Sequence, residues 1–99
     1  MNRCLNRLTV IGTINPVQQF QRSRWESKFK AKFTEPLEWS AGRFICQFET
    51  DDAPLERLKT VSRRWPKLTF LLDYELERQR IKGLAKARED NMEQCGISY

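Results

Sequence analysis

The sequence feature that most constrains the fold is a period of two that recurs in four separate segments. Apolar and polar side chains alternate in residues 5–11, 29–39, 43–50 and 68–76. This alternation predicts strands with one buried face, because successive side chains of a strand point to opposite faces of its sheet. Gly12 ends the first segment, and Ser40-Ala41-Gly42 is typical of a hairpin turn between the second and third. Pro36 restricts its strand to an edge or a bulge.

Two of the intervening segments carry helix signals. Asn15-Pro16 places a capping residue before a proline at the first helical position, which predicts a short helix ending by Arg24. Asp51-Asp52-Ala53-Pro54 puts acids near the start of a second helix, where they complement the helix dipole, and Pro66 ends this helix. Its apolar residues have helical spacing: Leu55, Leu58, Val61 and Trp65.

The predicted order is strand, helix, strand, strand, helix, strand. It is the split βαβ arrangement of a ferredoxin-like α+β fold, an antiparallel sheet with two helices on one face. A length of 99 residues suits one domain, with a core over 5–76 and a C-terminal extension over 77–99. Helix propensity in Leu84–Arg88 favours a helix in the extension, whereas alternation on both sides of Glu89-Asp90-Asn91 favours a hairpin.

The alternation also predicts which face of each strand is buried. The residues expected to face the core are Phe44, Cys46, Phe48, Leu68, Phe70, Leu72 and Tyr74. The residues expected on the opposite, open face are Arg7, Thr9, Ile11, Ile45, Gln47 and Glu49. This second set contains no aromatic side chain, so the sequence does not favour the way in which RNA-binding sheets of this class stack bases on their open face.

Missing residue types exclude several kinds of chemistry. There is no histidine, so neither a Ser-His-Asp or Cys-His nucleophile nor a histidine metal ligand is available. The three cysteines, Cys4, Cys46 and Cys95, are far apart and form no CxxC pair. We therefore expect no catalytic residues, no metal and no cofactor. An odd number of cysteines favours a reducing, cytoplasmic location, and no apolar run is long enough for a transmembrane span or a signal peptide.

The net charge of +5 points to a binding role. Basic residues concentrate around Trp25 and at the end of the second predicted helix. Together they form a candidate patch of Arg22, Arg24, Trp25, Lys28, Lys30, Arg63, Arg64 and Lys67. Such a patch would bind single-stranded nucleic acid through phosphate contacts and stacking. Packing of the end of the first helix onto the sheet is the alternative explanation of Trp25. Trp39, beside the hairpin turn, is a separate candidate for an exposed aromatic that contacts a protein partner.

Five short motifs follow one another along the chain. They are Cys4-Leu5-Asn6 running on to Gly12, Trp25-Glu26-Ser27-Lys28-Phe29, Phe48-Glu49-Thr50 with Pro54, Trp65-Pro66 with Leu68, Phe70 and Tyr74, and Gly83. This ordered set resembles the YubB ferredoxin-like family of plasmid and phage proteins. Arg3, Glu26 and Asp51-Asp52 depart from the family pattern. The resemblance implies a bacterial mobile element as the source and a final hairpin after Gly83, and it brings no catalytic residues.

Two functions remain open from the sequence. The first is a non-enzymatic protein-interaction module, an adaptor or an inhibitor, and we favour it because acids are interspersed among the bases. The second is a nucleic-acid-binding accessory protein that uses its basic surface. A homodimer is compatible with either function.

Overall fold

The computed structural model describes residues 3–99 and contains a six-stranded antiparallel sheet with three helices. The strands are β1 (Cys4–Ile11), β2 (Lys32–Ser40), β3 (Arg43–Thr50), β4 (Thr69–Leu76), β5 (Ile81–Arg88) and β6 (Asn91–Ser98). The helices are α1 (Ile14–Arg22), α2 (Trp25–Phe29) and α3 (Leu55–Arg64). The protein thus has the predicted α+β class, and two strands of the C-terminal extension bring the number of strands in its sheet to six.

The strands are ordered β2-β3-β1-β4-β5-β6, and every neighbouring pair is antiparallel. β1 and β2 run parallel with β3 between them, and β3 and β4 run parallel with β1 between them. The helices α1 and α2 lie in the first of these connections and α3 lies in the second. β5 and β6 then extend the sheet beyond β4.

The C-terminal extension is the hairpin β5-β6, so the alternative of a helix is wrong. Glu89 and Asp90 form its two-residue loop, with φ angles of 51° and 74°. Two consecutive positive φ angles are typical of the turn that best matches the twist of a hairpin. Ala85 and Ala87 are buried in the hydrophobic core, because β5 pairs along the whole of β4. This packing outweighs the local helix propensity.

The core lies on one face of the sheet, called here the core face, which carries the even-numbered residues of β1, β3 and β4. Phe44, Cys46 and Phe48 are all at most 4% exposed, as the alternation predicts. Phe20 of α1 contacts Phe70 at 5.2 Å between ring centroids. Rings from α2, from β3 and from the residue after α3 complete this aromatic cluster: Trp25, Phe29, Phe44, Phe48 and Trp65.

Two polar side chains, those of Asn6 and Thr50, are buried on the core face. Asn6 is 3% exposed, and its Nδ2 donates to Thr50 Oγ1 at 3.0 Å and to the carbonyl oxygen of Phe48 at 3.3 Å. Its Oδ1 accepts a hydrogen bond from the thiol of Cys4 at 3.4 Å. These partners remove the desolvation cost that an unpaired amide would carry.

The first helix starts earlier than predicted. Thr13, rather than Asn15, is the N-cap residue, and the first helical hydrogen bond runs from Val17 N–H to Thr13 O at 3.2 Å. Pro16 therefore lies within the first turn, where its missing N–H has no helical partner to lose. The prediction of Asn15 as the cap is wrong by two residues.

A short helix lies between α1 and β2, and the sequence pattern did not predict it. α2 spans Trp25–Phe29, so the predicted strand 29–39 starts too early. Lys30 ends this helix in the left-handed region, with a φ of 52°. Phe29 is 1% exposed, and its ring contacts Phe48. It is a core residue because it packs from α2, so its spacing with Ala31 does not indicate a strand.

Candidate interaction surfaces

The open face of the sheet, opposite the core face, forms a groove of about 730 Å³. Strand register places its residues in rows that cross the sheet. In one row Arg7 pairs with Gln47 on one side and Asp73 on the other, and the row continues through Leu84 to Cys95. Residues from all six strands therefore line the same groove.

Large apolar side chains line the groove. Phe33, Leu84 and Ile97 are 80%, 60% and 63% exposed, and Leu5 lies between them in the lining. Large apolar side chains grouped on an exposed face mark interaction sites more often than isolated ones do.

Charged side chains lie among these apolar ones, and most of them are acidic. The acidic residues lining the groove are Glu35, Glu49, Asp73 and Glu75. The basic ones are Arg7 and Lys82. The groove thus has the opposite sign to the chain as a whole, whose net charge is +5.

Hydrogen bonds and ion pairs hold several of these acids in place. Arg3 contacts Glu49 at 3.4 Å and Glu77 at 3.0 Å, and the hydrogen bond to Glu77 is the main cause that raises the Arg3 pKa. The hydroxyl of Tyr99 donates to Glu75, which raises the Tyr99 pKa. The Nζ atom of Lys82 lies 5.2 Å from the centroid of the Tyr99 ring.

Phe33 corrects the expectation that the open face carries no aromatic side chain. The β2–β3 register is irregular between Lys32 and Glu35, where two residues of β2 lie opposite Phe48 alone. Phe33 has a φ of 54° within this bulge, a conformation that is rare for a bulky residue. The bulge places Phe33 at the groove, whereas strict alternation would place it on the core face. Pro36, three residues later, was the available signal of an irregular strand.

The helices form a second candidate surface, which is basic. Lys28 of α2 lines the same shallow depression as Arg57 and Arg64 of α3. Arg57 Nη1 donates to the carbonyl oxygen of Lys28 at 3.3 Å, which ties the two helices together. Glu56 is the acidic residue in this lining. Two of the basic stretches in the sequence therefore meet at this depression.

The remaining members of the predicted basic patch are exposed at other positions. Arg63 is ion-paired with Asp90 at 2.9 Å. Lys67 lines a neighbouring depression together with Arg64. Arg22, Arg24 and Lys30 are exposed around α1 and α2.

The two tryptophans proposed for binding differ in burial. Trp25 is 4% exposed, and its ring contacts Phe20 at 5.8 Å and Phe48 at 5.7 Å between centroids. It is a core residue, so the predicted packing onto the sheet is confirmed and the alternative of stacking on nucleic acid bases is wrong. Trp39 is 63% exposed and lies opposite Phe44 on the edge strand β2, where it does not line the groove.

The three cysteines are free and differ in environment. Burial raises the pKa of the Cys4 thiol to about 11 and that of the Cys46 thiol to about 12. Both thiols stay protonated near neutral pH and are poor nucleophiles. Cys95 is exposed on β6 and lines one end of the groove.

Within residues 3–99, no group of three or more histidine, cysteine, aspartate or glutamate residues is placed to hold a metal ion. None of the helices in this range is long and apolar enough to cross a membrane. Comparison with protein-family models, with curated proteins and with solved structures finds no match in any of the three.

Proposed function

We propose that this protein is a non-enzymatic protein-interaction module whose open-face groove binds an apolar segment flanked by basic residues. The observation that carries the proposal is Phe33. It is bulky, 80% exposed and held at a φ of 54° where it lines the groove. A strained backbone conformation persists only where the surrounding structure imposes it, and such residues cluster at ligand contacts.

The composition of the groove supports an apolar segment with flanking basic residues as the partner. Leu5, Leu84 and Ile97 offer apolar contact, while four acids against two bases favour a positively charged segment. The same acids disfavour phosphates, so the groove suits a peptide better than a nucleic acid. An adaptor or an inhibitor is the role we propose for such a binding surface.

The proposed origin rests on the sequence resemblance. We retain the YubB-like, ferredoxin-like relationship, the bacterial mobile element and the cytoplasmic location as proposals. The order β2-β3-β1-β4, with one strand inserted into each connection, supports the ferredoxin-like part. The free thiols of Cys4 and Cys46 support a reducing compartment.

A pair of synthetic peptides tests the groove. One peptide carries leucines flanked by lysines, and the other carries the same leucines flanked by glutamates. We expect the lysine peptide to bind more tightly by isothermal titration calorimetry, and Phe33→Ala to weaken it by about tenfold or more. Trp39→Ala is the matched control, since it removes an exposed aromatic outside the groove, and it should change the affinity by less than about twofold. Equal affinity for the two peptides, or equal losses in the two variants, would reject the proposal.

A specific observation also supports the second function, nucleic-acid binding. Lys28, Arg57 and Arg64 line one depression, so several phosphates of a single strand could be bound together. If this function is correct, affinity for single-stranded DNA or RNA should fall with salt, with a log–log slope of about −0.7 per phosphate. Replacing these three residues with alanine should then flatten the slope by about 2.

A pull-down from the native host, with and without nuclease, distinguishes the two functions. A protein partner should survive nuclease treatment, be lost with Phe33→Ala and be kept by the Lys28, Arg57 and Arg64 triple variant. A nucleic-acid partner should give the opposite result in all three comparisons.

A further inference from the structure

The two outer strands of the sheet differ in how their free edges are protected. β2 contains Pro36 and two irregularities of register, and both features hinder pairing with another strand. β6 pairs with β5 in unbroken register, contains no proline and has Glu93 as its only charged side chain. Among residues 3–99, no strand pairs with the outer edge of β6. This edge is therefore regular and nearly uncharged.

The turn before β6 determines which main-chain groups point outward. In a two-residue loop of the type formed by Glu89 and Asp90, the flanking residues Arg88 and Asn91 are a hydrogen-bonded pair. Strict alternation then directs the main chain of the odd-numbered β6 residues toward β5. The hydrogen bond from Tyr99 N–H to Arg80 O, at 2.8 Å, agrees with this alternation, because Tyr99 is also odd-numbered. The N–H and C=O groups that point away from β5 belong to Met92, Gln94, Gly96 and Ser98.

We infer that this outer edge binds β6 of a second copy of the chain, antiparallel and with the two-fold axis at Cys95. Under such an axis the outward N–H and C=O groups of one copy lie opposite those of the other copy. Gln94 meets Gly96 of the second copy, and Met92 meets its Ser98. Each of these pairs occurs twice, and each exchanges an N–H and a C=O in both directions, which gives about eight new hydrogen bonds. The inference uses main-chain groups of β6 and stands apart from the proposed function of the groove.

Charge and strand length select this register. An axis at Glu93 would place two Glu93 carboxylates directly opposite each other, which is unfavourable, and would shorten the pairing. With the axis at Cys95, the whole of Asn91–Tyr99 is paired. Glu93 then lies opposite Ile97 of the second copy. Within its own chain Glu93 pairs with Lys86, and in the second copy Ile97 pairs with Lys82. Each Glu93 therefore has a lysine on both sides in its row across the dimer.

The arrangement has a consequence for binding. A two-fold axis between antiparallel strands is perpendicular to the sheet, so both open faces point to the same side of the dimer. The two grooves would lie side by side next to the shared β6 edges, because Cys95 and Ile97 line each groove. A partner carrying two copies of the recognised segment could then bind both grooves at once.

Cross-linking tests the register. In this dimer the two Cys95 residues form a non-hydrogen-bonded pair, with a Cα–Cα distance of about 4.5 Å, which lies within the range of disulfides. Diamide would take two electrons and two protons from the two thiols, forming the S–S bond and becoming a hydrazine. We expect rapid formation of a disulfide dimer under native conditions. The control is Cys95→Ser with Ile97→Cys, which keeps Glu93 and one exposed thiol on the same face of β6 and should cross-link at least about tenfold more slowly. Equal rates would overturn the inference.

Sedimentation equilibrium tests the edge itself. We expect the wild-type protein to dimerise with rising concentration in the presence of a reducing agent. Gln94→Pro removes an outward N–H without removing a bond to β5, so it should remain monomeric with its far-ultraviolet circular dichroism retained. Gln94→Ala keeps the N–H and should dimerise like the wild type. If Gln94→Pro fails to fold, Ser98→Pro at the end of the strand replaces it and should also weaken dimerisation. A wild-type protein that stays monomeric at millimolar concentration, or a folded proline variant that dimerises normally, would overturn the inference.

Discussion

The phenol ring of Tyr74 occupies the space that a side chain on Gly83 would need. The two residues are register partners on β4 and β5, and Gly83 pairs in turn with Gly96 of β6. A Cβ atom added to Gly83 would overlap the ring of Tyr74, whereas one added to Gly96 would lie 3.4 Å from the Tyr74 hydroxyl. A row of two glycines thus forms the surface on which this ring packs, so that Tyr74 is only 7% exposed.

This relationship predicts that Gly83→Ala is destabilising. The added methyl group forces the buried Tyr74 ring to move, and overpacking of this kind costs about 1–3 kcal/mol in the free energy of unfolding. Gly96→Ala should cost less than about 1 kcal/mol, because the nearest atom is at ordinary contact distance. Urea unfolding of both variants measures the difference. Combining Gly83→Ala with Tyr74→Leu should recover part of the loss, and full additivity would contradict the proposed overlap.

Phe48→Ala should destabilise the protein strongly. Phe48 is 2% exposed, and its ring contacts Trp25 at 5.7 Å and Phe29 at 5.5 Å between centroids. Truncating a buried phenylalanine costs about 3–5 kcal/mol. Phe33→Ala is the control, because it removes the same side chain from an exposed position and should change stability by less than about 1 kcal/mol. A small loss at Phe48 would show that its strand face is not part of the core.

The three thiols should react with a disulfide reagent at very different rates. Cys95 is exposed, whereas Cys4 and Cys46 are both 0% exposed, and burial raises the pKa of each buried thiol. Native protein should therefore show one fast-reacting thiol per chain, and protein in guanidinium chloride should show all three. Cys95→Ser should abolish the fast phase. A fast phase that persists in this variant would place another thiol at the surface.

Stability should fall at alkaline pH. The unperturbed thiol pKa is 9.0, while folding raises the pKa of Cys4 to about 11 and that of Cys46 to about 12. The folded state therefore holds these protons more tightly than the unfolded state. Their contribution to stability is complete below the unfolded value and is lost as pH rises through the folded values.

Urea unfolding between about pH 8 and about pH 10.5 should measure this loss, of the order of 1 kcal/mol for each thiol. A Cys4→Ala, Cys46→Ala double variant should lose less stability over the same range, although it starts from a lower value. Parallel pH profiles for the two proteins would contradict the assignment to the thiols.

Local pattern was most informative for a strand that has one buried face along its whole length. The strand predicted at Arg43–Thr50 has the same bounds in the structure, and its buried face is the predicted one. A strand with one buried face must alternate, so a single segment carries enough information to assign it. The end of α3 before Pro66 could also be predicted from the nearby sequence, because proline cannot continue a helix.

The alternation pattern was insufficient where contacts between residues far apart in sequence decide the local structure. Phe29, Ala31 and Phe33 have the spacing of one strand face, yet Phe29 lies in a helix and Phe33 lies above the opposite face of the sheet. The bulge in β2 that separates them depends on how β2 pairs with β3. The neighbours of Trp25 in sequence left both a basic surface and packing onto the sheet open, and contacts with Phe44 and Phe48 of β3 decide for packing.

The sequence by itself determined the α+β class, the faces of β1, β3 and β4, and the absence of histidine chemistry. Each of these depends on the identity and spacing of residues that are close in the chain. Only the tertiary structure decided that the C-terminal residues form a hairpin, that Phe33 lines the groove, and that Lys28 and Arg64 share a depression. These features depend on pairing and packing between segments far apart in sequence, whose energies outweigh the small local preferences of helix and strand propensity.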